Sequence, residues 1–183
     1  MKLLILFGPP AVGKTTVGKI IEEKSDFKLF HNHMIMDGVM QLFGVGTPIE
    51  DKLSREFRTR IIEEAAENGF NLIFTYVWNF DKEKGKINID RYKSIYESRG
   101  GSVIFAELSA PLITRIERAK SLQRKEIKAH APDSERVGRL EKTHNFTPPS
   151  AFYYPNLHKK FETDNKTPEQ IATEVITFIG TFS

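Results

Sequence analysis

The sequence predicts a three-layer α/β fold: a five-stranded parallel sheet with helices on both faces. Three observations carry this. Apolar runs rich in β-formers alternate with amphipathic helical stretches along almost all of the 183 residues, the pattern that right-handed helical crossovers between parallel strands impose. The opening run, Leu3 to Phe7, is continuously apolar, as a parallel strand covered on both faces must be. That run passes straight into Gly8-Pro9-Pro10-Ala11-Val12-Gly13-Lys14-Thr15, which fits the pattern G-x-x-x-x-G-K-[S/T] between a strand and a helix.

The spacing of this motif follows from the chemistry of phosphate binding. Gly8 and Gly13 permit backbone angles that a Cβ would forbid, so successive N–H groups can turn inward toward anionic oxygens. Pro9 and Pro10 lack an N–H and stiffen the loop, and Ala11 and Val12 fill its variable positions. Lys14 supplies a charge able to reach the β- and γ-phosphates of a nucleotide, and the Thr15 hydroxyl can ligate Mg²⁺. A helix over 14–24 begins here, so its positive dipole end faces the same ligand. The expected ligands are ATP and Mg²⁺, held by Gly8 to Thr16, with Thr15 on the metal.

Composition narrows the alternatives. The length suits one well-cored domain, residues 1–183, with charged residues at 28% and hydrophobic ones at 39%. A net charge of +3 suits anionic substrates without arguing for nucleic acid. The absence of cysteine excludes disulfides, thiolate catalysis and Cys-based zinc sites. The apolar start is too short for a signal peptide and meets Gly-Pro-Pro, no other stretch reaches membrane-span length, and the expected location is cytoplasmic.

Taken in order, the first strand covers about 2–7. The following helix carries Val17, Ile20 and Ile21 on one face and Lys19, Glu22 and Glu23 on the other. Phe27 to Phe30 reads as a short second strand ending in His31-Asn32-His33, with a helix from Met34 to Phe43. Gly44 to Pro48 breaks the pattern. A long helix from Ile49 to Glu67 closes on Asn68-Gly69. Asn71 to Trp78, rich in β-branched and aromatic residues, is the third strand; Asn79 to Lys86 reads as a polar loop, and Ile87 to Ser98 as a helix. Ser102 to Leu108 is the fourth strand, and Pro111 opens another helix. From Lys120 to Lys142 the chain turns polar and basic, with a helix near 133–144. Phe146 to Pro155 reads as a loop lying against the body, and Lys159 to Thr163 as the fifth strand. Thr167-Pro168-Glu169-Gln170 then starts a last helix with an N-cap, a first-turn proline and a capping-box residue.

With the phosphate loop, the strand ends and the late basic segment assembled, the chain resembles the small P-loop kinases, of the shikimate kinase, gluconate kinase and chloramphenicol phosphotransferase types. The resemblance spans nearly the whole length and implies a P-loop NTPase fold that moves the γ-phosphoryl group of ATP to a hydroxyl of a small molecule. It also implies that residues 120–142 form a lid closing over the nucleotide. Two departures stand out. Shikimate kinases carry aspartates after the second strand, where this chain has His31-Asn32-His33; they end the third strand in glycines, where it has Thr75-Tyr76-Val77-Trp78. The third strand also lacks the aspartate that many P-loop proteins use for the magnesium shell, and Asp37 or Glu107 can replace it.

Several residues are candidates for the chemistry. His31 and His33 share a face if the second strand continues through them. His33 and Asp37, four apart, share a helix face, and a carboxylate beside an imidazole suits a general base; the alternative is a polar strand-to-helix junction. Arg115, Arg118 and Arg124 lead into the lid, and Arg118 or Arg124 can neutralise the transferred group. Of Arg55, Arg58 and Arg60, Arg55 or Arg58 can hold an anionic acceptor, or all can serve surface ion pairs. Trp78 and Tyr76 can stack on the acceptor or belong to the core. Asp164, Asn165 and Lys166 match where such kinases place the adenine. Two other functions stay open: a nucleotide or nucleic-acid-end kinase using Arg55 or Arg58, and a nucleotide-binding switch with slow hydrolysis. The expected partner is a small-molecule hydroxyl acceptor; neither membrane nor nucleic acid is favoured, and the oligomeric state is not fixed.

Overall fold

The computed structural model describes residues 1–120 and 130–182. Five parallel strands form one sheet in the order β2-β3-β1-β4-β5: β1 is Lys2–Phe7, β2 Lys28–His31, β3 Leu72–Tyr76, β4 Ser102–Ser109 and β5 His158–Glu162. The helices are α1 (Lys14–Lys24), α2 (His33–Phe43), α3 (Pro48–Glu67), α4 (Glu83–Glu97), α5 (Leu112–Ala119), α6 (Ser134–Thr143) and α7 (Pro168–Ile179). β1 is central, and Leu3 to Phe7 are wholly inaccessible to solvent, which explains why its sequence shows no polar alternation.

Alternate residues of the strands feed two cores. Leu4, Leu6, Ile104, Ala106 and Leu108 face α1 and α7, where they meet Val17, Ile21, Ile171 and Val175. Leu3, Ile5, Phe7, Phe74 and Phe105 face the opposite side with Ile62 of α3, Ile89 and Tyr92 of α4, and Phe152. The helix starts follow local chemistry. Thr47 accepts a hydrogen bond from the Glu50 amide with Pro48 in the first turn of α3, and Thr167 and Gln170 form a reciprocal capping box at α7.

The structure departs from the sequence expectations in three places. β2 stops at His31, and His33 already belongs to α2, so His31 and His33 do not share a strand face; the Asn32 amide donates to Thr75 Oγ1 and turns the chain. β3 ends at Tyr76, two residues early. α4 begins at Glu83 instead of Ile87, and Gly85 lets the helix press against Trp78, where a Cβ would come within 2.9 Å of the indole. Of the span expected as a lid, residues 121–129 lie outside the described residues. The helix expected near 133–144 is α6, docked on α5 through fully buried Val137 and a 2.8 Å ion pair from Arg115 to Glu141. Arg115, only 3% exposed, is held on its other side by the Ala110 carbonyl, so it works as a clamp for α6.

Trp78 is 1% exposed and lies inside an aromatic cluster, stacked on Phe80 at 4.8 Å and edge-on to Phe7 and Phe152. This corrects the expectation that it stacks on a substrate: the side chain is closed off from solvent by the protein. The cluster is closed by the loop before β5. There Tyr154 donates to Asp90, and Lys86 pairs with Asp90 at 2.6 Å while lying over the Tyr153 ring. Partial burial works against the Asp90 carboxylate, but hydrogen bonds from Lys86 and Tyr154 outweigh it and lower its pKa. Trp78→Ala is expected to cost about 3–5 kcal/mol of stability, measured by urea denaturation. A loss below about 1 kcal/mol would return Trp78 to the list of ligand contacts.

Candidate functional site

The site is built where β1 ends. Gly8 has φ 146, and a Cβ there would sit 2.2 Å from the Leu108 carbonyl oxygen, so no other residue fits this approach. Its amide donates to the Tyr76 carbonyl at 3.3 Å, tying the loop to β3. Ala11 and Gly13 also take left-handed angles, φ 64 and 105, and these reversals curl the backbone into a cradle. α1 follows with no acidic residue in its first turn, leaving its positive end for an anion. Lys14, nearly buried, donates from Nζ to the Gly8 and Pro9 carbonyls at 2.8 Å each. The Thr15 hydroxyl is buried and has no hydrogen-bond partner. An unpaired buried hydroxyl costs free energy unless a ligand uses it, so the residue fits a magnesium ligand. Among the described residues no group of three or more His, Asp or Glu side chains comes together that could hold a metal ion.

A cavity of 610 Å³ opens beside this loop, lined by Ala11 to Val17, Lys19, Ile20, Arg118, Thr163, Lys166 and Pro168, among others. Arg118 donates to the Val12 carbonyl (3.3 Å), to Thr163 Oγ1 (2.8 Å) and to the Thr163 carbonyl (2.7 Å). It therefore braces the phosphate loop against the β5–α7 connection while also facing the cavity. Arg124 lies outside the described residues. Asn165, exposed with φ 58, does not line the cavity; Thr163 and Lys166 on either side of it do. Thr163, Pro168, Lys19 and Ile20 were not singled out from sequence, because only the packing of α7 on α1 brings them together.

On the other side of the sheet, the ends of β2 and β3 meet α2 and α3. His33 Nδ1 lies 2.8 Å from Asp37 Oδ1, so the four-residue spacing does place the imidazole against a carboxylate. His130, just before α6, brings its own Nδ1 to 3.5 Å from the same oxygen; nothing local in the sequence pointed to it. His31 is half buried in register with Thr75. Arg58 is buried (8% exposed), and its Nε donates to the Ser54 carbonyl at 2.7 Å. It sits by the Tyr76 and Tyr92 hydroxyls: burial raises the pKa of both and Arg58 lowers it, so each phenol stays protonated. Asp51 on the same helix is paired with Arg55 at 3.5 Å and with Lys84. Among the described residues Arg58 makes no ion pair, whereas Arg55 and Arg60 have acidic partners on their own helix. Glu107, a proposed stand-in for the missing strand-three acid, is 7% exposed and bonded to His158 at 3.0 Å, with that ring 4.2 Å from Phe152.

The Thr15 hydroxyl gives a clean test. Thr15→Val replaces an unpaired buried hydroxyl by a methyl group, so the folding stability is expected to hold or to rise by about 1 kcal/mol at most. Affinity for Mg·ATP should fall about tenfold or more, with metal-free ATP affected less; calorimetric titration with and without Mg²⁺ reads both. Equal binding by both proteins would remove Thr15 from the metal.

No protein-family model matches the chain, and no curated protein does. Solved structures do match. A sugar kinase from Janibacter sp. aligns with TM-score 0.66 and 16% identity over 98% of this chain and 95% of its own. A gluconokinase from Sinorhizobium meliloti aligns with TM-score 0.62 and 13% identity over 98% and 91%. A shikimate kinase from Acinetobacter baumannii, solved with shikimate, aligns with TM-score 0.57 and 16% identity over 98% and 93%. These likenesses show the fold: the chain shares its parallel α/β architecture with these solved kinases over nearly its whole length.

Proposed function

We propose that this protein is an ATP-dependent phosphotransferase acting on a hydroxyl of a small molecule. The observation that carries the reading is the cradle at the end of β1, with left-handed turns at Ala11 and Gly13, Lys14 inside it and the buried Thr15 hydroxyl below. The names of the aligned sugar, gluconate and shikimate kinases support the same reaction class. In this reading Lys14 and the loop amides hold the phosphates, and Thr15 would hold Mg²⁺, which neutralises charge on their oxygens. Arg118 keeps the loop in shape from the cavity wall. His33, with Nδ1 held 2.8 Å from Asp37 Oδ1, is the group that would take the acceptor's hydroxyl proton. The acceptor oxygen then bonds to the γ-phosphorus as the bridging oxygen leaves with ADP.

Arg58 supports an acceptor that bears an acidic group. A buried guanidinium with no carboxylate partner among the described residues, flanked by two protonated phenols, is an anion site in its own right.

A screen of hydroxyl-bearing metabolites, acids among them, with coupled ADP detection would find the acceptor. With it in hand, His33→Asn is expected to lower kcat about a hundredfold or more while Mg·ATP affinity persists. The wild-type rate should fall toward acid pH, because the base must be neutral to take the proton. A near-normal kcat with an unchanged acid limb would make His33 structural. Arg58→Lys should raise KM for an acidic acceptor about tenfold and leave the KM of ATP alone. If both constants stay put, the acid group is held elsewhere.

A further inference from the structure

The hairpin of α2 and α3, which pack on each other, leaves apolar surface in water. From Gly38 to Ile49 the chain carries no charged residue, yet Leu42 is 77% exposed, and Phe43, Val45 and Ile49 are exposed as well. On α3 the stripe runs on through half-buried Leu53 to Phe57, which is 48% exposed. The four-residue spacing of Ile49, Leu53 and Phe57 sets them along one side of the helix. A lone exposed leucine needs no explanation, but large apolar side chains gathered on adjoining elements mark a contact surface.

The charges of α3 say what covers it. Lys52 and Glu56 are exposed and flank the stripe, and although they stand four apart, neither has an ion-pair partner among the described residues. The other charged side chains of α3 are engaged within their own copy. Glu50 and Arg58 bond to Ser54, and the rest pair with one another, with Lys84 or with Arg99. The helix thus holds back one cation and one anion, one turn apart, beside its exposed apolar side chains.

We propose that this face binds a second copy of the chain, with α3 lying antiparallel to α3 about a two-fold axis near Leu53. A two-fold contact uses the same patch on both copies and must be complementary to itself. This one is. The rotation sets Ile49 of one copy beside Phe57 of the other and brings the two Leu53 side chains together. The same rotation lays Lys52 of one copy alongside Glu56 of the other, twice over, so both open charges are neutralised. An unlike partner would have to supply by chance the pattern that a second copy carries by symmetry. At 20 residues α3 is about 30 Å long, which gives the contact its length. The pairing asks nothing of the phosphate loop and stands apart from the phosphotransferase reading.

Sedimentation velocity of the full chain without nucleotide, from about 1 to 200 µM, reads the association. The wild type is expected to become dimeric as concentration rises. Ile49→Glu and Phe57→Glu, which place a carboxylate in the apolar contact, should stay monomeric, with unchanged circular dichroism showing that they fold. Lys52→Glu and Glu56→Lys, which set like charges against each other, should each weaken dimerisation about tenfold. The double variant Lys52→Glu/Glu56→Lys should return to within about threefold of wild type, because the exchange leaves opposite charges facing. These surface exchanges keep the test open if the apolar variants do not fold. A wild type that stays monomeric overturns the proposal, and binding of that monomer to phospholipid vesicles, lost in Phe57→Glu, would give the face to a lipid surface. A dimer that persists in Ile49→Glu and Phe57→Glu, or that ignores the charge exchange, is joined in another way and overturns it equally.

Discussion

Gly8 has room for a hydrogen where any other residue would drive a carbon to 2.2 Å from the Leu108 carbonyl. The rest of the site depends on that contact. It lets the chain leave the buried central strand in the plane of the sheet, between β3 and β4, and hand its amide to Tyr76. From there the phosphate cradle, the start of α1 and the end of β3 are fixed relative to one another. A substitution at Gly8 would be felt in all three because interiors packed to crystal density do not yield locally.

A second constraint comes from α5. This eight-residue helix carries two arginines three apart, and they reach in different directions. Arg118 spans from Val12 in the phosphate loop to Thr163 after β5, and Arg115 holds α6. A single short element thus sets the wall of the cavity beside the β1–α1 loop and the seat of the segment bearing His130. The Arg115–Glu141 pair is almost wholly buried at the arginine end, where breaking one partner strands a charge, so its removal should act on the position of α6 and not on the sheet.

The face of the sheet toward α3 and α4 is built differently, from polar groups set into an aromatic packing. Phe7, Phe74, Trp78, Phe152 and their neighbours pack the sheet against α3 and α4. Into the edge of that packing come Arg58, Tyr76 and Tyr92. Burial in apolar surroundings keeps the phenols neutral, and the same burial raises the electrostatic value of the guanidinium to an incoming anion. Glu107 and His158 satisfy each other within the same core, and this mutual bond explains how an acid survives there.

Much of this was legible in the sequence. The order of strands and helices follows from hydrophobic period, the phosphate loop from its glycine spacing, the α7 start from Thr167-Pro168-Glu169-Gln170, and the His33–Asp37 contact from one helical turn. All of these are local: a few dihedral angles and one repeat decide them. Other features needed the tertiary structure. Trp78 reads as the end of a strand, and only the arrival of Phe152, from far along the chain in the same core, makes it an interior side chain. Arg58 and Arg55 look alike in sequence; one is buried beside two tyrosines and the other pairs with Asp51, because α3 turns only one face to the sheet. His130 is separated from Asp37 by more than ninety residues, and no periodicity spans that distance. The sequence determines what is settled within a turn of helix or a strand, and the tertiary structure decides which side chains, each ambiguous alone, are closed off from water together.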